Sequence, residues 1–450
     1  MLLFRVMRLF AQVHRFMSIK IPRLSLWLVI ALAMLLEGCQ TLSFTQDAPL
    51  TVVTGKAEFV ESHDFTIEAN QQVVGELANV DSRDDDTLSD LARHFGLGFT
   101  DITLANARLD PWALSENQTI LLPLQFVLPD APRNGIVLNL ANMRMFYYPN
   151  QNKVLTYPVG IGRDGWNTPL GATKIIAKKA NPAWTVPESI HREHQKLGDP
   201  LPKVIPSGPD NPLGEYAMPL GFNGYLIHGT NKPYGIGMQV SHGCVQLYPE
   251  DVEALFHQVD VGTPVRIVHQ PYLAAWDQDM LYLEAHKPLD KWAKQDKQLQ
   301  KTVRQKLETL STEKGAAVDW QRVDAVLSRA DGIPTPVLQG GTDLPTLTAD
   351  ALKVSHPERL YGQPTVDELT EHDWSVLTPD LTDEAEAEKL AAMLNHLGPQ
   401  IPARKIEKDG VYRVAAGPFK SKKETTAIAK RIKSSFDMVV TPVKPGQALN

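Results

Sequence analysis

Cys244 stands in the run Ser241-His242-Gly243-Cys244-Val245-Gln246-Leu247, and His228 lies 16 residues upstream in Tyr225-Leu-Ile-His228-Gly229-Thr230. The chain has two cysteines, and the other, Cys39, closes an apolar segment near its start. A cysteine attacks only as thiolate, and an unperturbed pKa of about 8.5 leaves a minority ionised at neutral pH. An imidazole in reach solves this by taking the proton and later supplying it to a leaving amine. On an extended segment His242 and Cys244 would share a face, and a bend at Gly243 would break that arrangement. His228, at the end of an apolar strand, can approach the thiol from across a sheet without strain. Gly229 and Gly243 remove side chains where a substrate or a tight turn must come close. Two other readings stand beside thiol catalysis. One cysteine and two histidines can hold zinc with water in the fourth position, although spacing fixes no acidic ligand nearby. His228 can also be a hydrogen-bonded core histidine and Cys244 an ordinary small buried residue.

Such residues need a frame. Between Gly135 and His269, Ile136-Val-Leu-Asn-Leu, Met143-Arg-Met-Phe-Tyr-Tyr148, Val154-Leu-Thr-Tyr-Pro-Val159, Ala172-Thr-Lys-Ile-Ile-Ala177, Tyr225-Leu-Ile-His228 and Pro264-Val-Arg-Ile-Val268 read as strands. Helical signal is concentrated in Pro249-Glu-Asp-Val-Glu-Ala-Leu-Phe256, with proline in the first turn and acids at the N-terminal end. Residues 134–270 therefore make a mostly β catalytic domain within a multidomain chain. Before it, residues 81–124 place Leu88, Leu91, Ala92 and Phe95 on one helical face. A second helix follows from Ile102, and Thr119-Ile-Leu-Leu-Pro123 closes the unit as a strand. Residues 271–370 are highly charged, with Leu299, Val303, Leu307 and Leu310 as one stripe, and read as a solvated helical segment and a linker. Residues 371–443 show a β-α-β, β-α-β rhythm that starts at Trp374 and ends with the strand Met438–Thr441.

The run His228-Gly-Thr with Ser241-His-Gly-Cys-Val-Gln-Leu resembles the signature of the YkuD-type L,D-transpeptidases, in the group that links lipoproteins to peptidoglycan. The similarity extends from Ile136 to His269 through Leu138-Asn-Leu, Arg144-Met-Phe-Tyr-Tyr, Gly171 and Trp184. It implies a β-sandwich-like fold, Cys244 as nucleophile, and His228 as the base oriented by the Gly229 carbonyl. It also implies that His242 shapes the pocket and helps backbone N–H groups near Gly243 and Cys244 stabilise an oxyanion. Ser241, Gln246, Tyr225, Tyr234, Met238 and Trp184 are the expected substrate contacts, with Tyr216 a further wall. Gln246 stands where that family usually carries arginine or asparagine, so a fixed charge with bidentate reach is missing there. The implied reaction is acyl transfer from the tetrapeptide stem of peptidoglycan, with release of D-alanine. The acceptor is the lysine of a wall-anchored lipoprotein or a second stem, giving a 3-3 crosslink. Water as acceptor would make the enzyme a carboxypeptidase, and a non-catalytic peptidoglycan scaffold is the reading from another class. No cofactor or metal is expected.

Two further resemblances concern the flanks. Asp86-Thr-Leu and Asn117-Gln-Thr-Ile-Leu-Leu-Pro resemble the LysM module, which binds N-acetylglucosamine polymers, with Asp85 where glycine is usual. Tyr412-Arg-Val-Ala-Ala-Gly-Pro-Phe419 followed by Ser421-Lys-Lys-Glu424 resembles the ferredoxin-like SPOR domain, which binds glycan strands stripped of stem peptides. Tyr412 and Arg413 are its expected glycan contacts.

Residues 1–38 fit a lipoprotein signal peptide. Five basic residues and no acidic one occupy the first 23 positions, a 13-residue apolar run follows from Leu24 to Leu36, and then Glu37-Gly38-Cys39. Met17 to Arg23 would by itself make an adequate basic region. Leu36-Glu-Gly-Cys39 resembles the lipoprotein box, with Glu37 an unusual occupant, so Cys39 is the expected lipidation site and residues 39–80 a tether. Gln40, in place of a retaining aspartate, points to the outer membrane's inner leaflet. Loss of residues 1–38 shifts the formal charge from −7 to −11, which argues against nucleic acid as a partner. The expected compartment is the periplasm, with septal enrichment implied by the SPOR resemblance.

Overall fold

The computed structural model describes residues 63–196 and 200–447; Cys39 and the export-like segment lie outside them. The strand Gly135–Asn139 is buried along its whole length. Ile136 and Leu138 enter one apolar cluster while Val137 enters another. That is why its sequence reads as an apolar run and does not alternate with polar residues: both faces of its sheet are covered. The sheet has six strands in the order Asp64–Thr66, Lys153–Pro158, Arg144–Asn150, Gly135–Asn139, Pro264–Val268, Gly171–Lys174.

One face meets a second sheet in the order Lys179–Ala180, Tyr216–Pro219, Leu226–His228, Val245–Gln246. Met218, Ile227 and Val245 from this sheet pack with Ile136, Leu138, Met145 and Tyr147 from the first. Val252 and Leu255 of the helix Pro249–Gln258 close the same core. Pro249 occupies that helix's first turn, with Glu250 and Asp251 at its positive end.

The other face is covered by the N-terminal unit. Ala78–Asp81 pairs antiparallel with Thr119–Leu122, and the helices Leu88–His94 and Phe99–Ala105 lie between them in sequence. Leu88, Leu91, Leu97, Ile102, Ile120 and Leu122 share one cluster with Val137, Phe146, Tyr148 and Val154 of the large sheet. Asp85, found where glycine was expected, has φ of +69°, a conformation that glycine adopts without strain. Thr87 caps the first helix by accepting the Asp90 N–H. Arg144, only 1% exposed, crosses the junction to Asp101 at 2.9 Å and lies over the Phe126 ring at 4.0 Å. Removing one partner of such a buried pair costs about 3–5 kcal/mol, because the other charge is left uncompensated.

Residues 271–370 differ from the expected solvated helix and linker. Tyr272–Asp277 and Met280–Ala285 form a hairpin joined by Thr335–Pro336. The helices Asp296–Glu313 and Trp320–Arg329 pack on it through Val303, Leu307, Val323 and Val326, against Ala274, Leu281 and Leu283. The apolar stripe at Val303 and Leu307 was legible; the hairpin that gives it a partner was not.

The C-terminal unit is an antiparallel sheet in the order Ala403–Lys408, Val411–Phe419, Trp374–Leu377, Thr441–Val443. The helices Glu384–Asn395 and Lys422–Phe436 cover one face through Leu390, Leu394 and Ile432. The last strand starts later than the sequence suggested, because the second helix runs to Phe436 and Asp437 ends it in a left-handed conformation. His396 reaches Asp90 of the N-terminal unit at 2.9 Å.

Candidate active site

Leu226–His228 runs parallel to Val245–Gln246, with Ile227 opposite Val245 and His228 opposite Gln246. Strand alternation sends Ile227 and Val245 into the core and leaves His228 and Gln246 on the other face. One step back along this register sets Cys244 beside Leu226, on the face that carries His228. The Leu226 N–H points at the thiol, and the Gly224 carbonyl lies 3.8 Å from Sγ.

His228 is 4% exposed, and its Nδ1 lies 2.6 Å from the Gly229 carbonyl. A carbonyl only accepts, so Nδ1 carries the proton and Nε2 presents a lone pair. Burial lowers the imidazole to a pKa of about 4, against the opposing pull of the Gly229 and Leu213 backbone. Burial pushes the Cys244 thiol up to about 11, and the Leu226 N–H offsets part of that rise. At neutral pH the resting site therefore holds a neutral imidazole and a neutral thiol.

The turn that carries Cys244 is tightly held. Gly243 has φ of +105°, and a Cβ there would sit 2.9 Å from the Tyr225 ring, so only glycine fits. Ser241 Oγ accepts the Gly243 N–H at 3.1 Å and donates to the Cys244 carbonyl at 2.6 Å. Thr168 Oγ1 donates to the Gly243 carbonyl at 2.9 Å and accepts the Gly162 N–H at 3.1 Å. The Gly243 N–H, one of the expected oxyanion donors, is held by Ser241 in this structure.

His242 turns to a different set of partners. Its Nε2 lies 2.8 Å from Glu193 Oε2 and 2.9 Å from Arg163 Nη2, and the edge of Trp166 packs on its ring at 4.8 Å. Among the described residues no group of three or more His, Cys, Asp and Glu side chains is placed to hold a metal ion. Burial lowers the His242 pKa; the Glu193 hydrogen bond works the other way and Arg163 adds to the lowering. Burial would raise Glu193, but hydrogen bonds from Arg163 and His242 hold its carboxyl below the usual range.

Of the expected substrate contacts, Tyr225 abuts the Cys244 turn. Tyr234 is elsewhere, in a cavity of about 210 Å³ shared with Asp90, Arg93, His396 and Gln400 where the three units meet. Trp184 pairs with Ile205 at the base of the excursion that bears the helix Glu188–Lys196. The Met238 carbonyl accepts the Ile161 N–H, and the Gln246 backbone exchanges two hydrogen bonds with Gly160. In the C-terminal unit, Tyr412 packs on the helix-covered side, whereas its neighbour Arg413 pairs with Asp380 at 2.6 Å. Consecutive strand residues face opposite ways, so the two expected glycan contacts do not share a surface.

Sequence reasoning missed Arg163, Trp166, Thr168 and Glu193. Arg163-Asp-Gly-Trp-Asn-Thr168 is a polar turn directly after the strand Ile161–Gly162, which is the signal that could have found the first three. Glu193 sits in a helix whose sequence reads like any solvated one.

Comparison with known proteins accords with this geometry. The YkuD family, an L,D-transpeptidase catalytic domain, matches residues 133–267, and the SPOR domain matches residues 373–441. The chain is 40% identical over 238 residues to the Escherichia coli protein named "Probable L,D-transpeptidase YcfS", covering 51% of this chain and 74% of that one. It is 39% identical over 259 residues to "Probable L,D-transpeptidase ErfK/SrfK" of Salmonella typhimurium, covering 56% of this chain and 83% of that one. The Escherichia coli protein of the same name is 36% identical over 281 residues, covering 61% of this chain and 90% of that one. Relatives matched over most of their own length place this chain in the L,D-transpeptidase family, as an enzyme of peptidoglycan whose YkuD catalytic domain is followed by a SPOR domain.

Proposed function

We propose that Cys244 is the acyl-transfer nucleophile and His228 its base. The observation that carries this is the neutral imidazole anchored on the Gly229 carbonyl, on the strand face it shares with the thiol. His228 Nε2 takes the Cys244 proton as sulfur attacks the carbonyl between diaminopimelate and the terminal D-alanine. The oxyanion accepts from the Cys244 N–H, since Ser241 occupies the Gly243 donor. The C–N bond then breaks, His228 returns its proton to the departing D-alanine amine, and a thioester remains. An acceptor amine gives its proton to the same nitrogen, forms the new amide and expels the sulfur, which regains the proton.

The acceptor in this reading is the lysine of a wall-anchored lipoprotein, with a second stem next in order. Incubation of the protein with tetrapeptide muropeptide and a lysine-ended peptide tests this by product mass. A tripeptide–lysine conjugate is expected; free tripeptide alone would identify a hydrolase instead.

The surrounding parts fit delivery to the wall. The catalytic domain is β-sandwich-like, its two sheets meeting in one core. The β-α-α-β order of residues 78–122 supports a LysM-like glycan module. Lipidation of Cys39 would place the enzyme in the periplasm at the outer membrane's inner leaflet, with each buried acyl methylene contributing about 0.8 kcal/mol. The SPOR domain favours denuded strands at division septa. A fluorescent fusion should concentrate there, and deletion of residues 371–450 should disperse it; an unchanged pattern in the deletion defeats the septal assignment.

A further inference from the structure

Glu193 fills a place built for a carboxylate. Its Oε1 lies 2.5 Å from Arg163 Nη2 and its Oε2 2.8 Å from His242 Nε2, while those two nitrogens are only 2.9 Å apart. Arginine has donors and no acceptor, so an Nε2–H that serves Glu193 confronts a second donor. Two donors so close are held together by the anion that bridges them. Arg163 Nε is also buried with no protein acceptor among the described residues, so the guanidinium has capacity beyond Glu193.

The fork adjoins the reacting turn. His242 precedes Cys244 by two residues, and the Arg163 N–H donates to the Ser241 carbonyl at 3.0 Å. On the strand beyond the thiol, Gln246 offers no charge. The side chains of Arg163, His242 and Glu193 are 22%, 25% and 28% exposed, so a solute can reach them. Within the helix Glu188–Lys196 only Ile190 is buried, so Glu193 can rotate into water at little cost in packing.

We propose that Arg163 and His242 form the subsite for the free carboxylate of the donor stem's terminal residue, with Glu193 occupying it until that carboxylate arrives. This rests on the assignment of Cys244 and His228. It makes the residue beyond the scissile carbonyl carry a free carboxylate, which confines the reaction to the last peptide bond of the stem. One carboxylate replaces another, so the Arg163 and His242 donors keep an anionic acceptor in both states, while the displaced Glu193 is solvated by water.

The test uses the full-length protein and three synthetic tetrapeptide stems: one with a terminal acid, one with a terminal carboxamide, and one amidated instead on the diaminopimelate side carboxylate. The terminal acid should be preferred over the terminal amide by roughly 10- to 100-fold in KM, the scale of a charge-assisted hydrogen bond. Side amidation should have little effect. R163M should erase the preference by raising KM for the acid, R163K should restore part of it, and E193Q should lower KM for the acid. A preference that survives R163M overturns the subsite, as does a wild type indifferent to the terminal amide. A preference for the side carboxylate overturns the assignment to the terminal residue. Equal loss of kcat on all stems in R163M, with the KM ratio intact, identifies a structural role and overturns it as well. D-alanine release surviving in C244A would instead overturn the thiol mechanism and leave these ratios to be read separately.

Discussion

Cys244→Ala is expected to abolish D-alanine release from tetrapeptide stems and to remove the covalent adduct that a carbapenem leaves on the wild type. Loss of a nucleophile that works as a unit with its base lowers turnover on the order of 10⁴-fold or more. The variant should fold normally, because the turn is held without the sulfur. Its hydrogen bonds run from Ser241 and Thr168 to backbone groups of Gly243 and Cys244, and Gly243 supplies the left-handed bend. Intact mass after carbapenem exposure and a thermal melt are sufficient measurements. An adduct persisting in C244A would place the nucleophile elsewhere. A wild type that takes no adduct and releases no D-alanine would favour the non-catalytic scaffold.

His228→Gln is expected to slow D-alanine release by roughly 10²- to 10⁴-fold, the usual contribution of a positioned general base. The wild-type pH profile makes the sharper measurement. Burial brings the folded imidazole to about 4, from an ordinary 6.5, so its base form is present at any pH above that. Burial holds the thiol near 11, so direct ionisation contributes only in strong alkali. Turnover should therefore fall away near pH 4 and stay nearly flat from about pH 5 to pH 9. Alkylation of Cys244 by iodoacetamide should climb steadily toward the thiol's raised pKa. An acid limb near 6.5 would instead indicate an imidazole of ordinary basicity, and an alkaline limb with pH-independent alkylation below it would indicate a preformed thiolate–imidazolium pair. The same depressed histidine has a consequence for stability. Below its unfolded value of 6.5 the unfolded chain binds the proton and the folded one does not, so stability present above 6.5 declines as pH falls toward 4.

The pair proposed to react is legible in the sequence because its information is local. Cys244, His228 and Gly229 lie in two short runs whose β-branched and aromatic neighbours mark strands, and a lone thiol beside imidazoles limits the chemistry. What holds the pair was much less so. Thr168 is 75 residues from the glycine whose carbonyl it binds, and Glu193 is 49 residues from His242. Contacts of that span leave no period or spacing to read. Tyr412 and Arg413 show the opposite case: adjacency in sequence suggests a shared surface, and strand alternation places them on opposite faces. Residues 271–370 misled because charge dominates the helix Asp296–Glu313, while the hairpin that pairs with its apolar stripe lies earlier in the chain.

The cluster on the back of the large sheet takes residues from Ile67 through Phe146 and Val154 to Leu360. A chain emerging N-terminus first presents Leu88, Leu91 and Ile102 to water long before Val137 arrives to cover them, and Leu360 closes the assembly last. The N-terminal unit and the catalytic domain thus ripen as one cooperative body with distant contacts, a kind of topology that folds slowly and leaves sticky intermediates. Folding of this enzyme should therefore gain from a chaperone that shields Leu88, Leu91 and Ile102 until the chain as far as Leu360 is available.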